Sequence, residues 1–154
     1  PDATFTLRIS DGVVKGYTYN GTIAPPITTF HGMFDRHRSF RDSDLAWDAM
    51  MNGNAFDLPP RWKNVPDAFD ADTPINFAST CDIIGGNSGS PVINTQREIV
   101  GLAFDGNIES LPGEFIFAPD KGNRTISVHS SGILESLRHV YGADRIVAEI
   151  ESGR

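Results

Sequence analysis

A chain of 154 residues, 39% hydrophobic with 15 glycines and 10 prolines, suffices for one globular domain with its own core and is too short for two ordinary ones. The formal charge of -7 argues against nucleic acid or anionic membrane as partner, since phosphate contacts need clustered Lys and Arg, and the single cysteine, Cys81, excludes an internal disulfide and a Cys-based zinc site. No apolar run approaches the roughly 18 residues of a membrane span, and Pro1-Asp2-Ala3 lacks the basic and apolar regions of a signal peptide, so the protein is either cytosolic or has its leader outside this sequence.

Residues 4–10 (TFTLRIS) and 12–19 (GVVKGYTY) alternate like strands about Asp11-Gly12, which predicts an opening β-hairpin. From residue 20 to 73 the periodicity is lost, with breaks at Pro25-Pro26 and Pro59-Pro60. Only residues 43–51 (SDLAWDAMM) read as helical there, with Ser43 as N-cap. So long an irregular excursion is expected to cover or shape a site. Strand signals return at residues 75–79, 90–94, 98–104, 115–117 and 124–128, separated by Gly, Asn and Pro turns. Six or seven short strands at this spacing predict a mostly β fold, an antiparallel barrel or sandwich. Ser131, then apolar Ile133, Leu134, Leu137 and Val140, then Gly142 describe an amphipathic helix with a cap and a stop. A second helix is expected over residues 144–150.

The stretch Asp82-Ile83-Ile84-Gly85-Gly86-Asn87-Ser88-Gly89-Ser90-Pro91 carries the chemistry. It matches the G-[DN]-S-G-[GS]-P pattern of chymotrypsin-like peptidases. That pattern projects a serine hydroxyl from a tight turn while two backbone N–H groups, here those of Gly86 and Ser88, point to where the oxyanion of a tetrahedral intermediate forms. Gly-Asn-Ser-Gly alone is also ordinary turn chemistry. The two strands that follow, the second ending in Phe104-Asp105-Gly106, and the terminal helix supply the context for a nucleophile, because in a chymotrypsin-like fold that second strand pairs with substrate and walls the S1 pocket. Asp82, six positions before Ser88, stands where trypsin-like enzymes place the acid that selects Arg or Lys at P1.

The run from Cys81 to Phe115, the segment 123–128 and the ending GILESLRHVYGADRIVAEI resemble the C-terminal part of the bacterial dipeptidyl-peptidase 7 and dipeptidyl-peptidase 11 family of serine peptidases, and the opening PDATFTLRISDGVVKGY resembles the start of that family's second barrel. The resemblance implies a chymotrypsin-like antiparallel β-barrel with a C-terminal α-helix, residues 1–154 forming the serine-bearing half of a double-barrel peptidase domain. It implies a periplasmic or surface enzyme of Gram-negative bacteria that releases dipeptides from free N-termini. Carried over by residue, Ser88 is the nucleophile, the Gly86 and Ser88 amides form the oxyanion hole, and Asp105 helps hold the substrate α-ammonium group. Phe104, Asp105, Gly106 and Asp82 are thus the expected substrate-binding residues. Gly106 sits where members cleaving after acidic residues carry arginine, so its bare α-carbon is expected to leave room for bulky hydrophobic P1 groups. Asp82 is then expected to take a structural, hydrogen-bonded role. Asp105 also admits a plainer reading, as a turn-forming acid before Gly106-Asn107.

A serine nucleophile needs a base and an orienting carboxylate. Upstream of Ser88 only His31 and His37 are available, both inside the excursion, and His37 in Asp35-Arg36-His37-Arg38 reads as a solvated surface residue. The catalytic His and Asp are therefore expected on another part of a longer parent chain, the fragment alone being inactive, with an apolar face that meets the missing barrel or supports a homodimer. No cofactor or metal is expected. The competing readings are a compact trypsin-like endopeptidase with His31 or His37 as base, and a non-catalytic β-barrel binding domain. Trp47, Trp62 and the ten Phe read as packing residues rather than substrate platforms.

Overall fold

The computed structural model describes residues 6–42, 56–116 and 118–153. The chain divides into two compact units, Pro1–Thr28 with Pro74–Ser131, and Thr29–Thr73 with Gly132–Arg154.

The first unit is built mainly from antiparallel strands. β1 (Tyr17–Tyr19) and β2 (Thr22–Ala24) form a two-stranded hairpin, with Tyr17 opposite Ala24 and Tyr19 opposite Thr22. Its turn is Asn20-Gly21, and both residues take positive φ (46° and 74°), the combination that a two-residue type I′ turn requires. The hairpin expected at Asp11-Gly12 is not formed. Residues 7–16 contain no strand, only an isolated antiparallel bridge between Val14 and Ser79, flanked by Lys15 N–H to Ala78 O (3.0 Å) and Thr80 N–H to Val13 O (3.0 Å). Gly12 serves close approach instead of a turn: a Cβ there would stand 2.6 Å from the Cys81 amide nitrogen.

The second sheet has the strand order β3-β4-β7-β6-β5, with β3 (Ile27–Thr29), β4 (Pro74–Ser79), β5 (Pro91–Ile93), β6 (Ile99–Gly106) and β7 (Thr125–His129). Strands expected at 75–79, 90–94, 98–104 and 124–128 are all present. The one expected at 115–117 is not: Ile108–Glu114 winds as a 3-10 segment, and the Pro112 carbonyl accepts the N–H groups of Phe115 (3.0 Å) and Ile116 (2.9 Å), which uses the donors a ladder would need. Residue 117 lies outside the described residues. Phe77, Ala78 and Ala103 are buried here, together with Ser79, Thr125 and Ser127.

The second unit is helical. α1 (Phe30–Asp42), α2 (Pro60–Lys63), most of α3 (Ser130–Glu135), a π-helical turn (Ser136–Val140) and α4 (Asp144–Ser152) make up its regular structure among the described residues. The excursion read as irregular thus holds β2, β3 and two helices, whereas the helix expected at 43–51, with Trp47, lies outside the described residues. Phe30, 1% exposed, stacks on Trp62 (centroids 5.6 Å apart) and meets Phe69 edge-on at 4.9 Å. Aromatic pairs in these geometries contribute about 0.5–1.5 kcal/mol each beyond area burial. His37 is buried, not solvated as its charged neighbours suggested: its Nδ1 lies 3.2 Å from Phe56 O and accepts the Leu58 N–H at 3.4 Å. The single terminal helix expected from Ser131 to Val140 is a short α-helix continued by a π-helical turn, and α4 ends at Gly153 in the left-handed conformation (φ 65°), the usual helix stop.

Candidate active site

The turn bearing Ser88 lies between β4 and β5 in the β unit. Asn87 organises it twice over: its N–H donates to Ile84 O (3.1 Å) and its side-chain oxygen accepts the Ile84 N–H (2.9 Å). The Ser90 N–H then donates to Asn87 O (2.9 Å). Gly86 (φ 100°) and Gly89 (φ 84°) take backbone conformations that L side chains rarely adopt, which accounts for glycine on either side of Asn87-Ser88. Two bonds staple the turn to β6, Gly89 N–H to Ala103 O at 2.6 Å and Ala103 N–H to Ser90 O at 2.9 Å.

Ser88 is exposed, and its hydroxyl donates to Phe104 O at 3.5 Å. Among the described residues the N–H groups of Gly86 and Ser88 make no hydrogen bond, whereas those of Asn87, Gly89 and Ser90 are all used. The two donors expected at an oxyanion hole are therefore both unengaged.

Phe104 falls at a β-bulge. Ala103 faces Ser127 and Asp105 faces Ile126, so Phe104 is the extra residue of β6. A bulge re-aims the side chains beyond it. Asp105 is exposed and its Oδ1 accepts the N–H of Gly106 at 2.8 Å, a local bond that occupies one carboxylate oxygen. Gly106 does not border open space on its Cβ side, as its bare α-carbon suggested: a Cβ there would collide with Ser110 Oγ and stand 2.9 Å from Ser110 Cβ. Asp82 donates its backbone N–H to Ser10 Oγ (2.7 Å), but its carboxylate is exposed and makes no hydrogen bond among the described residues. The hydrogen-bonded structural role expected of that carboxylate is not seen.

Sequence reasoning missed the anchor behind this strand. Asn107, buried, accepts the Arg124 N–H (2.8 Å) on its side-chain oxygen and donates to Gly122 O (2.7 Å). The Arg124 guanidinium, also buried, donates to Lys15 O, Gly16 O, Pro119 O and Asn123 O. An arginine among carbonyls leaves no motif in a sequence. The one histidine of this unit, His129, is held elsewhere: its Nδ1 accepts the Ser131 N–H (3.2 Å) and lies 2.6 Å from Ser131 Oγ, and burial lowers its pKa below the ordinary histidine value. In the helical unit, exposed His31 pairs through Nε2 with Asp72 at 3.0 Å.

A family model described as Peptidase S46 matches residues 1–152. The chain is 36% identical over 152 residues to dipeptidyl-peptidase 7 of Porphyromonas gingivalis, an alignment covering 97% of this chain and 20% of that protein. It is 31% identical over 170 residues to the Asp/Glu-specific dipeptidyl-peptidase of Shewanella putrefaciens, covering 98% and 23%. Among solved structures it is similar to Porphyromonas endodontalis DPP11 in complex with the dipeptide Arg-Glu, with a TM-score of 0.76 and 26% identity, covering 97% of this chain and 21% of that one. The chain spans about a fifth of the length of these relatives. Sequence and fold agree over nearly all of it: the chain belongs to the Peptidase S46 family.

Proposed function

We propose that residues 1–154 are the nucleophile-bearing part of a serine dipeptidyl-peptidase, in which Ser88 attacks the scissile carbonyl and the Gly86 and Ser88 amides receive the oxyanion. The observation that carries this reading is the Ser88 turn itself, with an exposed hydroxyl and those two amides unengaged on either side of the bonded Asn87 amide. Attack forms the acyl-enzyme and releases the shortened peptide as its amine, and water then frees the dipeptide and regenerates the hydroxyl. Asp105, with one carboxylate oxygen not used by Gly106, pairs with the substrate α-ammonium group and sets the two-residue register. A hydrophobic P1 residue fits this site better than an acidic one, since Gly106 supplies no cation to pair with a P1 carboxylate. The relatives named for dipeptidyl-peptidase activity support the reaction class.

The base and its orienting carboxylate come, in this reading, from another part of the parent chain, because the only histidine of the β unit is engaged by Ser131. That remainder is the principal macromolecular partner, with a homodimer as the arrangement of the isolated chain, and the enzyme works in the periplasm or at the cell surface. No described helix is long and apolar enough to cross a membrane. Hydrolysis of a dipeptidyl-aminomethylcoumarin panel by the parent and by residues 1–154 tests the proposal. The parent cleaves hydrophobic P1 substrates, Ser88→Ala abolishes cleavage, and the isolated residues are inert. Cleavage by residues 1–154 alone would favour the compact endopeptidase with an internal base, a reading that the burial of His37 opposes for that residue.

A further inference from the structure

Within this reading of Ser88 and of the Phe104–Gly106 strand as the substrate site, the geometry points to Ser110 as a further specificity-determining residue, acting as a pair with Gly106. We infer that the Ser110 hydroxymethyl group, rather than empty space, forms the wall of the P1 pocket beside Gly106.

Gly106 ends β6 two residues beyond Phe104, whose carbonyl accepts the Ser88 hydroxyl. A Cβ built on Gly106 meets both heavy atoms of the Ser110 side chain. That side chain is no flexible tip that could swing aside. Ser110 Oγ donates to Asn107 O at 2.6 Å and the Ser110 N–H donates to the same carbonyl at 2.9 Å. Asn107 in turn is fixed by its bonds with Arg124 and Gly122. The volume beside the Gly106 α-carbon is therefore filled from the 3-10 segment. The hydroxyl hydrogen is committed to Asn107, so the oxygen has only lone pairs left to offer, and these repel a P1 carboxylate. Position 106 can accept a side chain only if position 110 gives up its own, and shrinking position 110 deepens the pocket.

The test uses the full-length parent and dipeptidyl-aminomethylcoumarins with Val, Leu or Phe at P1. Ser110→Gly is expected to raise the Phe-to-Val ratio of kcat/KM by about tenfold, the scale on which pocket volume discriminates substrates. Gly106→Ala lowers kcat/KM for Phe, and Gly106→Ala/Ser110→Gly restores it, a coupling that independent sites do not show. An unchanged P1 profile in Ser110→Gly, or no rescue in the double variant, overturns the inference while leaving Ser88 as nucleophile. Activity that survives Ser88→Ala overturns the underlying reading instead. Melting curves and Ser88 labelling of each variant separate a specificity change from misfolding, and a folded Gly106→Ala variant with full activity on Phe also contradicts the pairing.

Discussion

Asn107 and Arg124 tie together the pieces that frame the candidate site, and they do so with buried polar atoms. Removing one partner of a buried hydrogen bond leaves the other unsatisfied, at about 1–3 kcal/mol each. Asn107→Ala strips the Arg124 N–H and Gly122 O of their partners at once. Its expected cost is on the order of 2–5 kcal/mol in urea unfolding, with a comparable loss for Asn107→Asp, which keeps the acceptor for Arg124 but sets a buried carboxylate oxygen against Gly122 O. Small losses in the two variants would show that the bonds contribute little. Asp105 shows how far residue reading reaches: its exposure and local bond fit both the turn-forming and the substrate-holding roles weighed from the Asp-Gly pair.

At the scale of elements, His129 ends β7 and its ring nitrogen accepts from Ser131, in the first turn of α3. Burial lowers its folded-state pKa, so the unfolded chain takes up a proton more readily than the folded one. The stabilisation that follows is complete above the unfolded value near 6.5 and is lost as pH falls toward the lowered folded value. Stability measured between pH 7.5 and 5 is expected to fall with acid in the wild type and to fall less steeply in His129→Phe; parallel curves would contradict the assignment. The β1–β2 turn gives a second check, because Gly21 sits at φ 74° and Gly21→Val forces a β-branched residue into that conformation, at about 1–2 kcal/mol.

These elements also mark what the sequence made legible. The four long-range strands β4 to β7 were readable because apolar runs there end in strong turn residues. The hairpin was misplaced because Asp11-Gly12 and Asn20-Gly21 carry equivalent turn signals, and only tertiary pairing of Val14 with Ser79 decides between them. α1 was missed because its stripe, Phe30, Met33, Phe34, His37 and Phe40, is regular only when His37 counts as a buried position. The Ser88 turn was legible because its glycines are demanded by backbone geometry, whereas the Phe104 bulge and the Ser110 contact arise from packing and leave no local pattern.

For the molecule as a whole, the β unit exposes apolar side chains freely. Leu7 is 90% and Ile9 88% exposed, and Leu111 and Phe115 stand out at 73% and 87%. Exposed apolar surface in such amounts marks an interface, and in the proposed reading the remainder of the parent chain covers it. Residues 1–154 are expected to self-associate with rising concentration in sedimentation equilibrium, and Leu7→Lys/Ile9→Lys to reduce that association. A strictly monomeric chain up to high micromolar concentration would oppose this account.

The most direct test of the central claim is fluorophosphonate labelling of the full-length parent, with the modified residue mapped by peptide mass. A single adduct on Ser88 is expected, lost in Ser88→Ala and absent from isolated residues 1–154. An active parent whose Ser88 stays unmodified, or whose adduct maps to another serine, would contradict the claim.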